Sequence, residues 1–90
     1  MNIPKESKRK AKILRAIASP VRLCALEMLL KEERGVRELR TKIGISHKHF
    51  GYHARELKRH KIISGRRDGR NMIYKIRKSW KFRLALIMDL

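Results

Sequence analysis

The sequence predicts a mainly α domain with one two-stranded β hairpin, in the order α-α-α-α-β-β-α. Three observations carry that reading. Apolar residues recur at helical spacing through most of the first sixty positions. After Lys61 the period falls to two on both sides of Asp68-Gly69, and helical spacing returns after Ser79. Residues 1–10 read as a basic arm and residues 11–90 as a single domain. Within it, a helix-turn-helix occupies about 37–60, the hairpin about 62–77 and a terminal helix about 79–90.

Ser7 is a candidate cap for a first helix reaching Ala18, with Ala11, Leu14 and Ala18 on one side, flanked by Ile13 and Ile17. Ser19-Pro20 is a strong start signal for the next, a serine cap with proline at the first helical position. In Val21–Leu30 only Arg22 and Glu27 are polar, so this helix is expected at the centre of the core, with Cys24 buried in it. Gly35 reads as its terminating glycine and Val36 as a short extended bridge. Leu39 and Ile43 then mark a short third helix stopped by Gly44, and Ser46 can cap a fourth.

In that fourth helix Phe50, Ala54 and Leu57 form an inward stripe, while Lys48, Tyr52, Arg55 and Arg59 fall on the opposite side. A helix packed on one face and cationic on the other suits the DNA major groove. Helix, glycine turn and helix of these lengths make a helix-turn-helix. For the hairpin, a type I′ turn at Asp68-Gly69 sets Arg67 opposite Arg70, Gly65 opposite Met72 and Ile63 opposite Tyr74. Met72, Tyr74, Ile76 and Ile63 then share one face, and Arg66, Arg67, Arg70 and Asn71 crowd the tip. Such a tip repels itself unless an anion sits there.

Ser79 is a candidate cap for the last helix, Trp80–Leu90. Trp80, Leu84, Ile87 and Met88 form one apolar stripe, with Phe82, Leu86 and Leu90 a second. Two stripes exceed what a small core covers, so this helix, with Leu14 and Ile17 of the first, is expected to form a homodimer interface.

Charge points the same way. Lys and Arg number 25 against 8 Asp and Glu, a net charge of +17 on 90 residues. Such a field attracts polyanions, and its cations lie in ordered elements, which favours nucleic acid over a membrane surface. The longest apolar run, Leu84–Met88, is far too short to span a bilayer. No secretory signal is visible, and a lone cysteine, Cys24, excludes an internal disulfide and a multi-cysteine zinc site. A cytoplasmic, prokaryotic nucleoid-associated location is expected. Gln is absent and Asn occurs only at 2 and 71, a trend of thermophile proteins. No glycine-rich phosphate loop or catalytic carboxylate pair is present, so no enzyme activity is expected.

Leu14-Arg-Ala-Ile-Ala-Ser-Pro-Val-Arg-Leu23 resembles the opening of the ArsR (arsenical-resistance repressor) family of winged helix-turn-helix regulators. Gly44-Ile-Ser46, Tyr52-His53, Leu57 and Arg66-Arg67-Asp68-Gly69-Arg70 are similar to that family's recognition helix and wing. The resemblance covers about residues 8–90 and implies a dimeric transcription regulator with one recognition helix per subunit in successive major grooves. Many of its members bind a thiophilic metal through paired cysteines at the start of the helix-turn-helix. Gly35 and Arg37 stand there in this chain, and Asp89 is the one carboxylate side chain in the last helix. Both usual metal sites are missing, so no metal, cofactor or small-molecule effector is expected. Arg40 replaces a small residue common at that point of the motif.

The candidate DNA contacts are therefore Ser46, His47, Lys48, Tyr52 and Arg55 in the major groove and Arg59 on the backbone, with Arg66, Arg67, Arg70 and Asn71 on the minor groove or its phosphates. The candidate dimer contacts are Leu14, Ile17, Trp80, Phe82, Leu84, Leu86, Ile87 and Met88. His49, His53, Glu56 and His60 line one flank of the recognition helix, where a metal or a titrating cluster competes with simple phosphate or carbonyl contacts. Two rivals to a regulator remain open: a sequence-tolerant architectural DNA-binding protein, and a winged helix used for RNA or protein docking.

Overall fold

The computed structural model describes residues 1–90 as α1 (Lys5–Ile17), α2 (Pro20–Lys31), β1 (Arg34–Gly35), α3 (Val36–Ile43), α4 (His47–Arg59), β2 (Ile63–Asp68), β3 (Asn71–Ile76) and α5 (Lys78–Met88). Five helices accompany a small antiparallel sheet of order β1-β3-β2, packed against α2, α3 and α4. The mainly α class and the winged architecture stand as expected.

Two of the serine caps form. Ser19 accepts from the Arg22 amide at 3.4 Å and Ser46 from the His49 amide at 3.1 Å, each satisfying a donor in the helix's first turn. Gly44 takes the left-handed conformation, φ 84°, that closes α3 and allows the sharp turn into α4. Elsewhere the boundaries move. α1 starts at Lys5 with Pro4 at its cap, so more than half of the expected basic arm is helix and Ser7 lies inside it. α5 starts at Lys78, because the Arg77 amide is held by the Ile62 carbonyl at 2.9 Å and the chain turns helical directly after that tie. Ser79 caps nothing.

Gly35 does not end α2. That helix stops at Lys31, and Arg34 reaches back to donate to the Met28 carbonyl at 3.1 Å, taking up one of the last unpaired acceptors. Gly35 instead pairs with Ile73 as Arg34 pairs with Tyr74, so the extended bridge expected at Val36 falls one residue earlier. A third strand results.

The hairpin register also differs. Asp68 faces Asn71, Arg67 faces Met72, Gly65 faces Tyr74 and Ile63 faces Ile76. Gly69 and Arg70 are the loop, with positive φ at Gly69 alone (64°), which suits glycine at the first position of a type II′ turn rather than a type I′ turn. The shift moves pairing by an even number, so Met72, Tyr74, Ile76 and Ile63 keep one face. Its physical reason is Tyr74, buried and tilted against Phe50 at 6.4 Å. A Cβ on Gly65 would lie 2.8 Å from Tyr74 Cε1, so only glycine can stand opposite that ring. We expect Gly65→Ala to destabilise the domain by about 1–3 kcal/mol, the usual cost of forcing a packed ring aside. Urea melts check this; a change under about 0.5 kcal/mol would mean the ring moves freely.

Leu26, Leu39, Ile62 and Leu84 are fully buried, joined by Phe50, Ala54 and Leu57 of α4 and the inner face of the hairpin. The expectation for α2 fails in part: Cys24 is exposed, while Arg22 is 8% exposed and sits in the interior. A helix apolar on all sides does not announce which face turns inward, and Arg22 is admitted because its guanidinium finds partners.

Candidate nucleic-acid interface

α4 stands between two cationic concavities. On one side a hollow of about 380 Å³ opens between α3, the start of α4 and the wing, bounded by Arg37, Arg40, His47, Arg67, Arg70 and Asn71 over a floor that includes Phe50 and Tyr74. On the other, a hollow of about 420 Å³ lies between α1 and the second half of α4. The exposed face of α4 joins them, carrying His47, Lys48, Tyr52, Arg55 and Arg59.

His47, Lys48 and Arg55 are exposed and bonded to no other side chain by hydrogen bond or ion pair. The Ser46 hydroxyl is engaged as the α4 cap, leaving its proton for an outside acceptor. Tyr52 is 52% exposed, with the Arg22 guanidinium 5.5 Å from its ring centroid. Arg59 is bonded to Glu56 at 2.7 Å, one turn away.

On the wing, the observed register divides the arginines. Arg67 lies on the Met72–Tyr74 face and lines the hollow with Arg70 and Asn71. Arg66 lies on the other face and bonds Glu33 at 2.6 Å. That pair holds the Glu33 carboxyl below its ordinary range, chiefly through the hydrogen bond, and raises Arg66 for the same reason. So the repulsion expected at the tip is relieved for Arg66 from within the chain. Both groups are solvent-exposed, so the pair adds little stability.

Sequence reasoning missed Arg37 and Arg40 as site residues. They stand three apart on α3 and both reach the wing-side hollow, so the departure at Arg40 adds a cation there. It also missed Arg22, which ties three helices together. Arg22 donates to the Ala16 carbonyl at the end of α1 at 3.0 Å and through Nε to His53 Nδ1 on α4 at 2.9 Å. His53 Nε2 lies 3.2 Å from His49 Nε2. With Nδ1 accepting from Arg22, the neutral His53 carries its proton on Nε2 and donates it to His49. Metal coordination through both Nε2 atoms would put an Nδ1–H against the Arg22 N–H, and no third ligand-type side chain gathers there. Burial chiefly, then the Arg22 charge and His49, hold the His53 pKa below its ordinary value.

Among the expected dimer contacts, Phe82 (74%), Leu86 (58%) and Leu14 (56%) are exposed, and Trp80, Ile87 and Met88 are half-buried. Ile17 and Leu84 are not available, since both are buried in the protomer's own core.

Helix-turn-helix, wing and cationic hollows define the class of molecule: a winged helix-turn-helix domain. No protein-family model matches the chain. It is 36% identical over 76 residues to nodulation protein NolR of Rhizobium meliloti, covering 80% of this chain and 62% of that protein. It is 34% identical over 70 residues to the uncharacterized HTH-type transcriptional regulator Rv0081 of Mycobacterium tuberculosis, covering 77% and 61%. The chain thus spans about three-fifths of the length of these curated relatives. The crystal structure of Rv0081 superposes with a TM-score of 0.87 at 28% identity, covering 97% of this chain and 88% of that one. A homodimeric winged helix-turn-helix DNA-binding domain from Mycobacterium bovis, Mb0332, described as a possible ArsR-family regulator, superposes at 0.84 and 23% identity, covering 97% and 84%. The chain is similar in sequence to helix-turn-helix transcriptional regulators, and its fold is that of winged helix-turn-helix DNA-binding domains.

Proposed function

We propose that the chain is a homodimeric, double-stranded-DNA-binding transcription regulator that works without a metal or other cofactor and acts in the cytoplasm. The observation that carries this reading is the set of exposed cations on the wing-side hollow and the outer face of α4, with Lys48, Arg55, Arg67 and Arg70 all free of carboxylate partners. Regulators as relatives, and no helix long and apolar enough to cross a membrane, agree with it. Dimerisation is supported by the exposed Phe82, Leu86 and Leu14 and by the homodimeric state of the Mb0332 domain. Metal independence is supported by the Arg22–His53–His49 chain, which occupies the nitrogens a metal would need.

The two groups of cations have different tasks. Arg55 points from the middle of the reading helix and is expected to recognise a guanine edge, so Arg55→Ala costs about 1–3 kcal/mol on the preferred site and little elsewhere. Arg67 is expected on a phosphate, so Arg67→Ala weakens all duplexes alike and lowers the salt slope by roughly 0.9 per lost contact. Selection from random duplexes at physiological salt, followed by titration of the variants, measures both. If Arg67→Ala relaxed sequence preference and Arg55→Ala did not, the assignments would be reversed.

One observation favours a second reading. Only Arg34, Lys42, Arg59 and Arg66 of the 25 Lys and Arg residues reach a carboxylate, more free positive charge than a reading head requires. A sequence-tolerant architectural protein would use that surplus. A discrete footprint supports the regulator, and uniform coverage with steep salt dependence supports packaging.

A further inference from the structure

The hollow between α1 and α4 lies outside the helix-turn-helix and wing, and its chemistry is that of an anion site. Lys12 and Arg15 of α1 form one wall, and Tyr52 and Arg59 of α4, with His60 just beyond its end, form the other. Its one carboxylate, Glu56, is already bonded to Arg59. Arg22 also lines it, buried, hydrogen-bonded to a carbonyl and an imidazole, and with no carboxylate in reach. A buried cation balanced only by neutral acceptors leaves its charge uncompensated, and a low-dielectric wall focuses that charge into the open hollow. Lys12 and Arg15 add to the same potential instead of offsetting it. Tyr52 and Arg59 belong at once to this wall and to the reading face of α4, so an anion held here is continuous with whatever α4 reads.

We propose that α1 is part of the duplex-binding surface, with Lys12 and Arg15 holding the phosphodiester backbone in this hollow. The proposal rests on the reading of the chain as a dimeric duplex binder. The wing flanks the start of α4, and α1 flanks its second half, on the opposite side. Leu14 lies on the other side of α1, beside Trp80 of α5, and belongs to the proposed dimer face, so α1 stands nearer the two-fold axis than the wing does. The phosphates it takes are therefore those between the two half-sites, while the wing takes those outside them. The same contact carries no base information and extends the footprint inward.

The test uses Lys12→Ala/Arg15→Ala, two exposed positions, beside a charge-matched control, Lys78→Ala/Lys81→Ala, at the base of the wing. Thermal melts confirm that both fold. On the selected duplex, the Lys12/Arg15 variant is expected to lose at least tenfold in affinity at physiological salt. Its salt slope should fall by roughly 0.9 per phosphate released, close to two per subunit. Hydroxyl-radical footprinting should lose protection between the half-sites and keep it at the outer flanks, and the control should keep both. Equal losses in the two variants, or an unchanged central footprint, would overturn the proposal by reducing these cations to part of the general field. Absence of any footprint with the unsubstituted protein would instead overturn the duplex-binding reading, so the two failures are distinct.

Discussion

Arg22→Met is expected to destabilise the protein by about 2–3 kcal/mol and to flatten its loss of stability in acid. Methionine keeps most of the volume and removes the guanidinium, so the change isolates the hydrogen bonds from Arg22 to Ala16 and His53. Hydrogen bonds from a charged donor contribute about 1.5–3 kcal/mol, and an acceptor left dry costs about 1–3. Relief from burying the charge offsets part of this. In a domain of this size the loss corresponds to roughly 10–20 °C in Tm.

The pH dependence has a definite sign. His53 is held below its ordinary 6.5 in the folded protein, first by burial and then by the Arg22 charge and His49. The unfolded chain takes up the proton first as pH falls. Stability is therefore complete above about 6.5 and drains below it, levelling only beneath the folded pKa. Protonation also sets an Nδ1–H against Arg22 Nε–H, breaking the tie between α2 and α4. Arg22→Met removes the second cause and leaves burial, so its stability should fall less between pH 7.5 and 5. Urea melts at fixed protein concentration across that range measure both effects. A variant within about 0.5 kcal/mol of the parent, with the same pH profile, would show that Arg22 holds nothing.

Arg22 also marks where the sequence stops being legible. Signals read from residue chemistry at one position held: Ser19 and Ser46 cap, and Gly44 turns the chain. So did the inward stripe Phe50, Ala54 and Leu57, because period and polarity agree there. α2 offers no such contrast, and which of its sides carries Cys24 to the surface and Arg22 to the interior depends on α1 and α4. The hairpin failed for a related reason. Asp68-Gly69 is a strong local turn signal, yet the need for a glycine opposite the Tyr74 ring is a tertiary demand, and it moved the turn to Gly69-Arg70. At the candidate site, the exposed cationic face of α4 was visible in its spacing. The split between Arg66 and Arg67, and the cations contributed by α3 and α1, follow from the register and from helix packing that no periodicity encodes.

The largest effect on DNA binding is expected from the dimer face, through Phe82→Glu/Leu86→Glu. These residues stand four apart on α5, one turn of one face, and are 74% and 58% exposed. Neither belongs to the hydrophobic cluster of the protomer core. Placing two carboxylates there removes apolar area from a two-fold contact in both copies at once, so each substitution counts twice. Sedimentation should show folded monomer where the parent is a dimer, with the melting of secondary structure preserved. Affinity for a two-fold site should drop by about 10²-fold or more, because the second half-site is no longer bound from within the same molecule. The salt slope should fall toward half. Leu84 supplies the contrast: fully buried in the protomer, it should unfold the chain when replaced by Glu rather than dissociate it. A Phe82/Leu86 variant that stayed dimeric would move the interface off the outer face of α5. A parent that sedimented as a monomer would remove the two-fold reading altogether, and with it the placement of Lys12 and Arg15 between half-sites.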